Sequence, residues 1–179
     1  MQYVEHRATH DQVLIELFRA TFSVSDGERE GLLIGDLVQT LLNKTVPADL
    51  RVVTALDQNH LAGACIFSRL QYETDPRKVF ILAPMAVLPD KQKQGIGQAL
   101  IGASMQILRQ GGVDLVLTYG DPAFYGKTGF SWVSEKEAPA PFALQYPEGW
   151  LAKSLTDRPF STLSGPVRCV CALQDRVYW

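Results

Sequence analysis

The chain has 179 residues, of which 46% are hydrophobic and 20% charged, and a formal net charge of −2. That length suits one domain spanning 1–179, able to bury roughly 70% of the surface its unfolded chain exposes without help from a metal or disulfide. A near-neutral charge balance excludes an electrostatic nucleic-acid footprint, and no stretch reaches the ~18 uninterrupted apolar residues of a membrane helix.

Tyr3 to Arg7 reads as a short opening strand, and Thr9 or Asp11 is placed to cap a helix with an apolar face of Val13, Leu14, Leu17 and Phe18 that ends near Thr21. Phe22 to Gly27 reads as a polar turn. Leu32, Leu33, Leu37, Val38, Leu41 and Leu42 then repeat at helical spacing until Pro47 forbids continuation. Leu50 to Leu56 and Leu61 to Leu70 read as a hairpin around Asp57-Gln58-Asn59. Val79 to Val87 is almost wholly apolar, the pattern of a central strand buried on both faces, although Pro84 makes it irregular or unpaired at that point. A helix from Gly95 or Gly97 to Arg109 stops at Gly111-Gly112, and Val113 to Thr118 follows as a buried strand, so strand, helix and strand form a parallel crossover. Asp121 and Pro122 open a short helix that Lys127-Thr128-Gly129 ends, and Phe130 to Val133 begins another strand. Gly165 to Leu173 is the last clear strand, with Phe142 to Ser164 irregular or partly strand. The alternating end at Val177, Tyr178 and Trp179 is suited to pairing with a partner chain, leaving monomer or homodimer open.

Chemistry concentrates in Phe80 to Gly102, FILAPMAVLPDKQKQGIGQALIG, a strand leading through a basic, glycine-containing loop onto a helix N-terminus. Free N–H groups and the positive end of the helix dipole point the same way there, which suits an anion. A dinucleotide fingerprint fails because Leu100 stands where the third glycine is needed, and a nucleotide P-loop fails because neither Gly95 nor Gly97 precedes a lysine. A pyrophosphate cradle of backbone amides needs only what is present, with Lys91 and Lys93 adding positive charge.

Gln92-Lys93-Gln94-Gly95-Ile96-Gly97, preceded by Val87-Leu88-Pro89, resembles the central signature of the GNAT superfamily of acyl-CoA-dependent N-acetyltransferases, and Gly120 to Phe130, GDPAFYGKTGF, looks like its second. The likeness is similar in detail to the superfamily's bacterial YhbS-like branch. It implies an α/β GNAT fold: a mixed, twisted sheet of about seven strands, with a core over 3–134 and C-terminal strands from 135–179 completing the sheet. It also implies acetyl-CoA as cosubstrate in a cleft where the central strand and the next one part. Met85, Ala86 and Val87 would pair with the pantetheine arm, Gln92, Lys93, Gln94, Gly95, Ile96, Gly97 and Gln98 would surround the pyrophosphate, and Tyr119 would border the acyl group. The implied reaction is direct attack of a primary amine, in a small molecule or peptide, on the thioester.

Within that reading Tyr125 is the acid for the departing thiolate, since a phenol with a pKa of about 10 stays protonated at neutral pH. No acid stands on Phe80 to Val87, so the general base is open among Glu28, Glu30, Glu73, Asp75 and Asp121, the last also a helix cap, and an amine delivered through ordered water. The missing acid keeps a second function in view, a non-catalytic acyl-CoA sensor or interaction module. An acceptor pocket is expected between Ser23 to Gly31, Gln71 to Lys78 and Phe142 to Trp150, whose carboxylates and aromatics suit a small cationic amine. His6, His10 and His60 read as surface residues without metal-ligand spacing, so no metal is expected. Cys65, Cys169 and Cys171 lack the spacing of a zinc or disulfide framework and read as structural thiols. With the polar start MQYVEHRATH, this makes cytoplasmic the expected location, with no membrane or nucleic-acid partner.

Overall fold

The computed structural model describes residues 1–6 and 12–179; Thr9 and Asp11, expected as caps, and His10 lie outside the described residues. In chain order the elements are β1 (Gln2–His6), α1 (Gln12–Asp26), α2 (Glu28–Lys44), β2 (Leu50–Asp57), β3 (His60–Tyr72), β4 (Val79–Val87), α3 (Ile96–Gln110), β5 (Leu115–Tyr119), α4 (Pro122–Tyr125), β6 (Ser131–Trp132), β7 (Trp150–Ser154) and β8 (Val167–Cys169). The strands form one mixed, eight-stranded sheet in the order β1-β2-β3-β4-β5-β7-β6, with β8 pairing on β3 off that path. Among the described strands only β4 and β5 run parallel, joined by the α3 crossover, as the strand-helix-strand pattern requires. Among the described residues no helix is long and apolar enough to cross a membrane.

The sheet separates two cores, and β4 contributes to both because successive side chains point to opposite faces. Val79 and Ile81 join Leu14, Phe18, Val38 and Leu41 of α1 and α2, whereas Phe80 and Leu82 join Leu100, Ile101, Met105 and Leu108 of α3. The unbroken apolar run of β4 follows from this two-sided burial. Each such side chain contributes about 1.5–3 kcal/mol when fully buried, so β4 is anchored from both faces of the sheet.

Three expectations are corrected. α1 does not stop at Thr21 but runs to Asp26, since nothing between Thr21 and Ser25 breaks a helix and the first obstacle is Gly27 at φ 99°. Its last turns press on α2, where a Cβ on Gly31 would stand 2.6 Å from the Arg19 carbonyl oxygen. His6 is half-buried in β1 rather than on the surface. The C-terminal stretch is not a strand awaiting a partner: β8 covers only Val167–Cys169, followed by 3-10 turns at Cys171–Leu173 and Arg176–Tyr178. Trp179 is 3% exposed, packs edge-on to Trp150 with centroids 6.1 Å apart, and donates its indole N–H to Leu173 O at 2.9 Å. Burying a large indole with its one donor satisfied outweighs extending a strand into solvent.

Trp179→Ala is therefore expected to lower the free energy of unfolding by about 3–5 kcal/mol, the range for emptying a buried aromatic site. Urea unfolding of the variant measures this, and stability within about 1 kcal/mol of the parent would remove the indole from the core.

Candidate functional site

β4 is paired on both flanks only over its first half. Its parallel rungs with β5 run from Val79 opposite Leu115 to Leu82 opposite Thr118, where Thr118 Oγ1 donates to Leu82 O at 3.1 Å. Pro84 has no N–H to continue the ladder, and its peptide bond with Ala83 is cis. Beyond it Met85, Ala86 and Val87 keep only their β3 partners Cys65, Ala64 and Gly63. Leu88 N–H donates to Ala62 O at 2.9 Å, so strand alternation turns the Ala86 amide toward β3 and those of Met85 and Val87 toward the opening. The Gln92 side-chain amide reaches back to donate to Val87 O at 3.0 Å, pinning the loop to the strand end.

The loop then winds through two left-handed residues, Lys93 at φ 60° and Gly95 at φ 78°, before α3 begins. The first bond of α3 is Ala99 N–H to Gly95 O at 3.0 Å, which leaves the Ile96, Gly97 and Gln98 amides ahead of the helical ladder at the positive end of the dipole. A cleft of about 670 Å³ brings together Met85, Ala86, Val87, Gln92, Lys93, Gly95, Ile96, Gly97 and Gln98. Two expected members are elsewhere. The Gln94 side-chain amide turns away to donate from Nε2 to Asp90 O at 3.1 Å, and Tyr119 borders a different cavity, its hydroxyl accepting from Tyr146 N–H at 2.7 Å. Lys91 lines the cleft but is paired with Asp57 at 2.7 Å. Sequence reading missed Thr21 at the expected helix end, Phe22 and Ser25, which reach the cleft because α1 is longer than expected, and Lys127, whose place in the KTG of the second signature was the available clue.

A second cavity of about 560 Å³ lies across the open end of β4, lined by α1, α2, the Ala83 to Met85 segment, the end of β5 and the C-terminal turns. Phe22, Met85 and Tyr125 belong to both cavities. Tyr125 reaches this junction because Gly120 has no side chain: a Cβ there would stand 2.7 Å from Tyr125 Cε2. The half-buried ring also packs edge-on to Phe124 and Phe130, with centroids 5.1 Å and 5.7 Å away. Burial pushes the Tyr125 phenol well above its ordinary pKa, more than the neighbouring Thr118 hydroxyl lowers it.

The structure sorts the carboxylates. Glu30 and Asp121 line the second cavity, together with Asp26, which the expected turn had hidden. Asp121 also caps α4, accepting from Ala123 N–H at 2.8 Å. Glu28 is exposed outside both cavities, Glu73 is paired with Arg168, and Asp75 is held by Arg77 at 2.6 Å, which lowers its pKa to about 2. Of the three stretches expected around an acceptor, Ser23 to Gly31 reaches the second cavity through Asp26 and Glu30, and neither Gln71 to Lys78 nor Phe142 to Trp150 lines it. The Gln71 to Lys78 turn precedes β4, at the opposite end of the strand from the opening, and Leu173, Val177, Tyr178 and Trp179 line the second cavity. Cys65 lies fully buried beneath the cleft, and burial raises its thiol pKa far above the ordinary range.

Residues 48–131 match the acetyltransferase (GNAT) domain model. YjhQ of Escherichia coli K12, an uncharacterised N-acetyltransferase, is 32% identical over 139 residues, covering 75% of this chain and 76% of YjhQ. The chain belongs to the GNAT family. Two solved structures share its fold. The GNAT protein YhbS from E. coli, crystallised with CoA, superposes with a TM-score of 0.73 at 19% identity, covering 97% of this chain and 93% of that one. A GNAT acetyltransferase from Brucella melitensis, crystallised with acetyl-CoA, gives 0.66 at 19% identity, covering 96% and 97%. Of the two stretches that resemble GNAT signatures, Gln92 to Gly97 forms the loop on the cleft and Gly120 to Phe130 carries Tyr125 to the junction of the two cavities.

Only a thiolate reacts readily with disulfide reagents, so exposed Cys171 is expected to label quickly in the native protein and Cys65 only on unfolding. Peptide mapping after a brief exposure checks this; native labelling of Cys65 would show that the cleft floor opens to solvent.

Proposed function

We propose that the protein transfers an acetyl group from acetyl-CoA to a primary amine by direct attack. The observation that carries this reading is the place of Tyr125, on the shared wall of an amide-rimmed cleft and a carboxylate-bearing cavity. The cofactor's pyrophosphate rests on the amides of Ile96, Gly97 and Gln98, with Lys93 and Lys127 adding charge. Its pantetheine arm extends β4 as a short additional strand against the Met85 and Val87 backbone. One of those N–H groups polarises the thioester carbonyl, a fixed dipole that need not reorganise as charge develops. The amine attacks from the second cavity, the carbon–sulfur bond breaks, and Tyr125 donates its proton to the leaving thiolate. The proton lost by the amine has Asp26, Glu30 and Asp121 as receivers in the same cavity. These acids come from elements other than β4, which weakens the rival reading of a non-catalytic acyl-CoA sensor. CoA in YhbS and acetyl-CoA in the Brucella protein support the choice of cosubstrate.

Tyr125→Phe is expected to lower kcat about 100-fold while leaving the Kd for acetyl-CoA within about threefold, because the proton donor is lost and the cleft is not. Stopped assays of CoA release beside calorimetric binding read the two separately. Unchanged turnover would rule out Tyr125 as the acid, whereas tight acetyl-CoA binding without CoA release across a broad amine panel would establish the sensor reading.

The raised Tyr125 pKa also sets the pH profile. The phenol is protonated below its pKa, and since that lies above the ordinary ~10, Tyr125 introduces no loss of activity below about pH 10. The rate is expected to rise as the amine deprotonates and then level off. A fall between pH 7 and 9 that Tyr125→Phe abolishes would contradict this.

A further inference from the structure

With Tyr125 as the acid, a reading on which this inference rests, the proton has an unfavourable path. The thiolate that takes it has a conjugate acid of pKa about 8.5 if it resembles a cysteine thiol, whereas burial holds the phenol above its ordinary value of about 10. Transfer runs uphill unless the phenolate left behind meets a hydrogen-bond donor as it forms. Most of its surroundings offer none. Phe124 and Phe130 pack on the ring without a polar atom, and the nearby ionisable groups, Cys65 and Asp121, act against a negative charge on the phenol oxygen.

Thr118 is the exception. Strand alternation places it on the same face of β5 as Val116, which shares the α3-side core with Tyr125, and in one row with Gly120 just beyond the strand. The Tyr125 ring lies over Gly120, its Cε2 2.7 Å from where a Cβ would stand, so it covers the end of the row to which Thr118 belongs. Thr118 is wholly buried, and its hydroxyl, the neighbour that favours the ionised phenol, gives its single proton to Leu82 O at 3.1 Å. A hydroxyl carries one proton and turns freely about its C–O bond, so that proton has two acceptors in alternation, the Leu82 carbonyl and a phenolate oxygen.

We infer that Thr118 is a positioning residue that turns its O–H from Leu82 O to the Tyr125 oxygen as the phenol proton passes to sulfur, and so makes a buried tyrosine a usable acid. The amine nitrogen bonds to the acyl carbon as the carbon–sulfur bond breaks, and the thiolate takes the phenol proton. Thr118 holds the phenolate until the proton shed by the amine restores it.

Replacing the six tyrosines of the full chain with fluorinated tyrosine lowers phenol ionisation toward the range in which the protein is folded. Fluorine NMR then follows Tyr125 as the resonance missing from Tyr125→Phe. Thr118→Val keeps the shape and removes the donor; it is expected to make that phenol at least about tenfold weaker as an acid, as loss of one hydrogen bond to a charged oxygen does, and Thr118→Ser should leave it within about threefold. In turnover Thr118→Val should lower kcat about tenfold with the acetyl-CoA Kd within about threefold, and Thr118→Ser should restore kcat. In the Tyr125→Phe background the same valine substitution should change kcat less than about twofold, because the proton it serves is gone. Thr118→Ala carries the comparison if the valine variant does not fold. A phenol of unchanged acidity in Thr118→Val, or an equal loss of kcat in the parent and in Tyr125→Phe, would overturn the inference and leave Thr118 a structural residue. Failure of the transfer reading looks different: the parent releases no CoA with any amine, and the titration then still decides whether Thr118 serves the phenolate.

Discussion

Thr118 donates to the Leu82 carbonyl at the last rung that β4 and β5 share, and past that rung a proline stands where the next donor would be. The two strands are held together below this point by burial on both faces of the sheet and are free above it. An opening with one intact wall results, because β3 continues to pair with Met85 to Val87. Unpaired backbone groups cost about 1–3 kcal/mol each when buried without a partner, so a site that exposes them along an edge is predisposed to take a strand-like ligand. The loop that follows reinforces this, since Gln92 ties itself to Val87 and thereby sets the α3 amides beside the same opening.

The opposite side of the opening is assembled from distant parts of the chain. The extra turns of α1 carry Thr21, Phe22 and Ser25 onto the cleft and Asp26 onto the second cavity, and the C-terminal turns close the far wall with Trp179 anchored in the core. Tyr125 stands between the two spaces because Gly120 lets its ring lie against the end of β5. Position and burial act together here: the same packing that holds the ring at the junction keeps its phenol protonated.

The central unit was legible in the chain because its determinants are local. Two-sided burial shows as the apolar run Val79 to Val87, helical spacing and paired glycines bound α3, and the Asp121-Pro122 start of α4 follows from capping alone. Cleft residues from Met85 to Gln98 are consecutive or nearly so, and a contiguous stretch carries its own register. Gln94 and Tyr119 lie off the lining of that cleft, because their side chains are held by hydrogen bonds to Asp90 and Tyr146 that spacing does not reveal.

The second cavity was less legible for a corresponding reason. Phe22 to Ser25 is polar enough to resemble a turn, yet nothing in it breaks a helix, and packing of α1 on α2 decides in favour of continuation. Trp179 ends an alternating stretch that suits a strand, but a buried indole with a satisfied N–H is worth more than an exposed edge. Local propensity and spacing were enough to specify the amide-rimmed cleft between β4 and α3. Which carboxylates and aromatics meet across the opening depended on long-range burial, which no stretch of the chain carries alone.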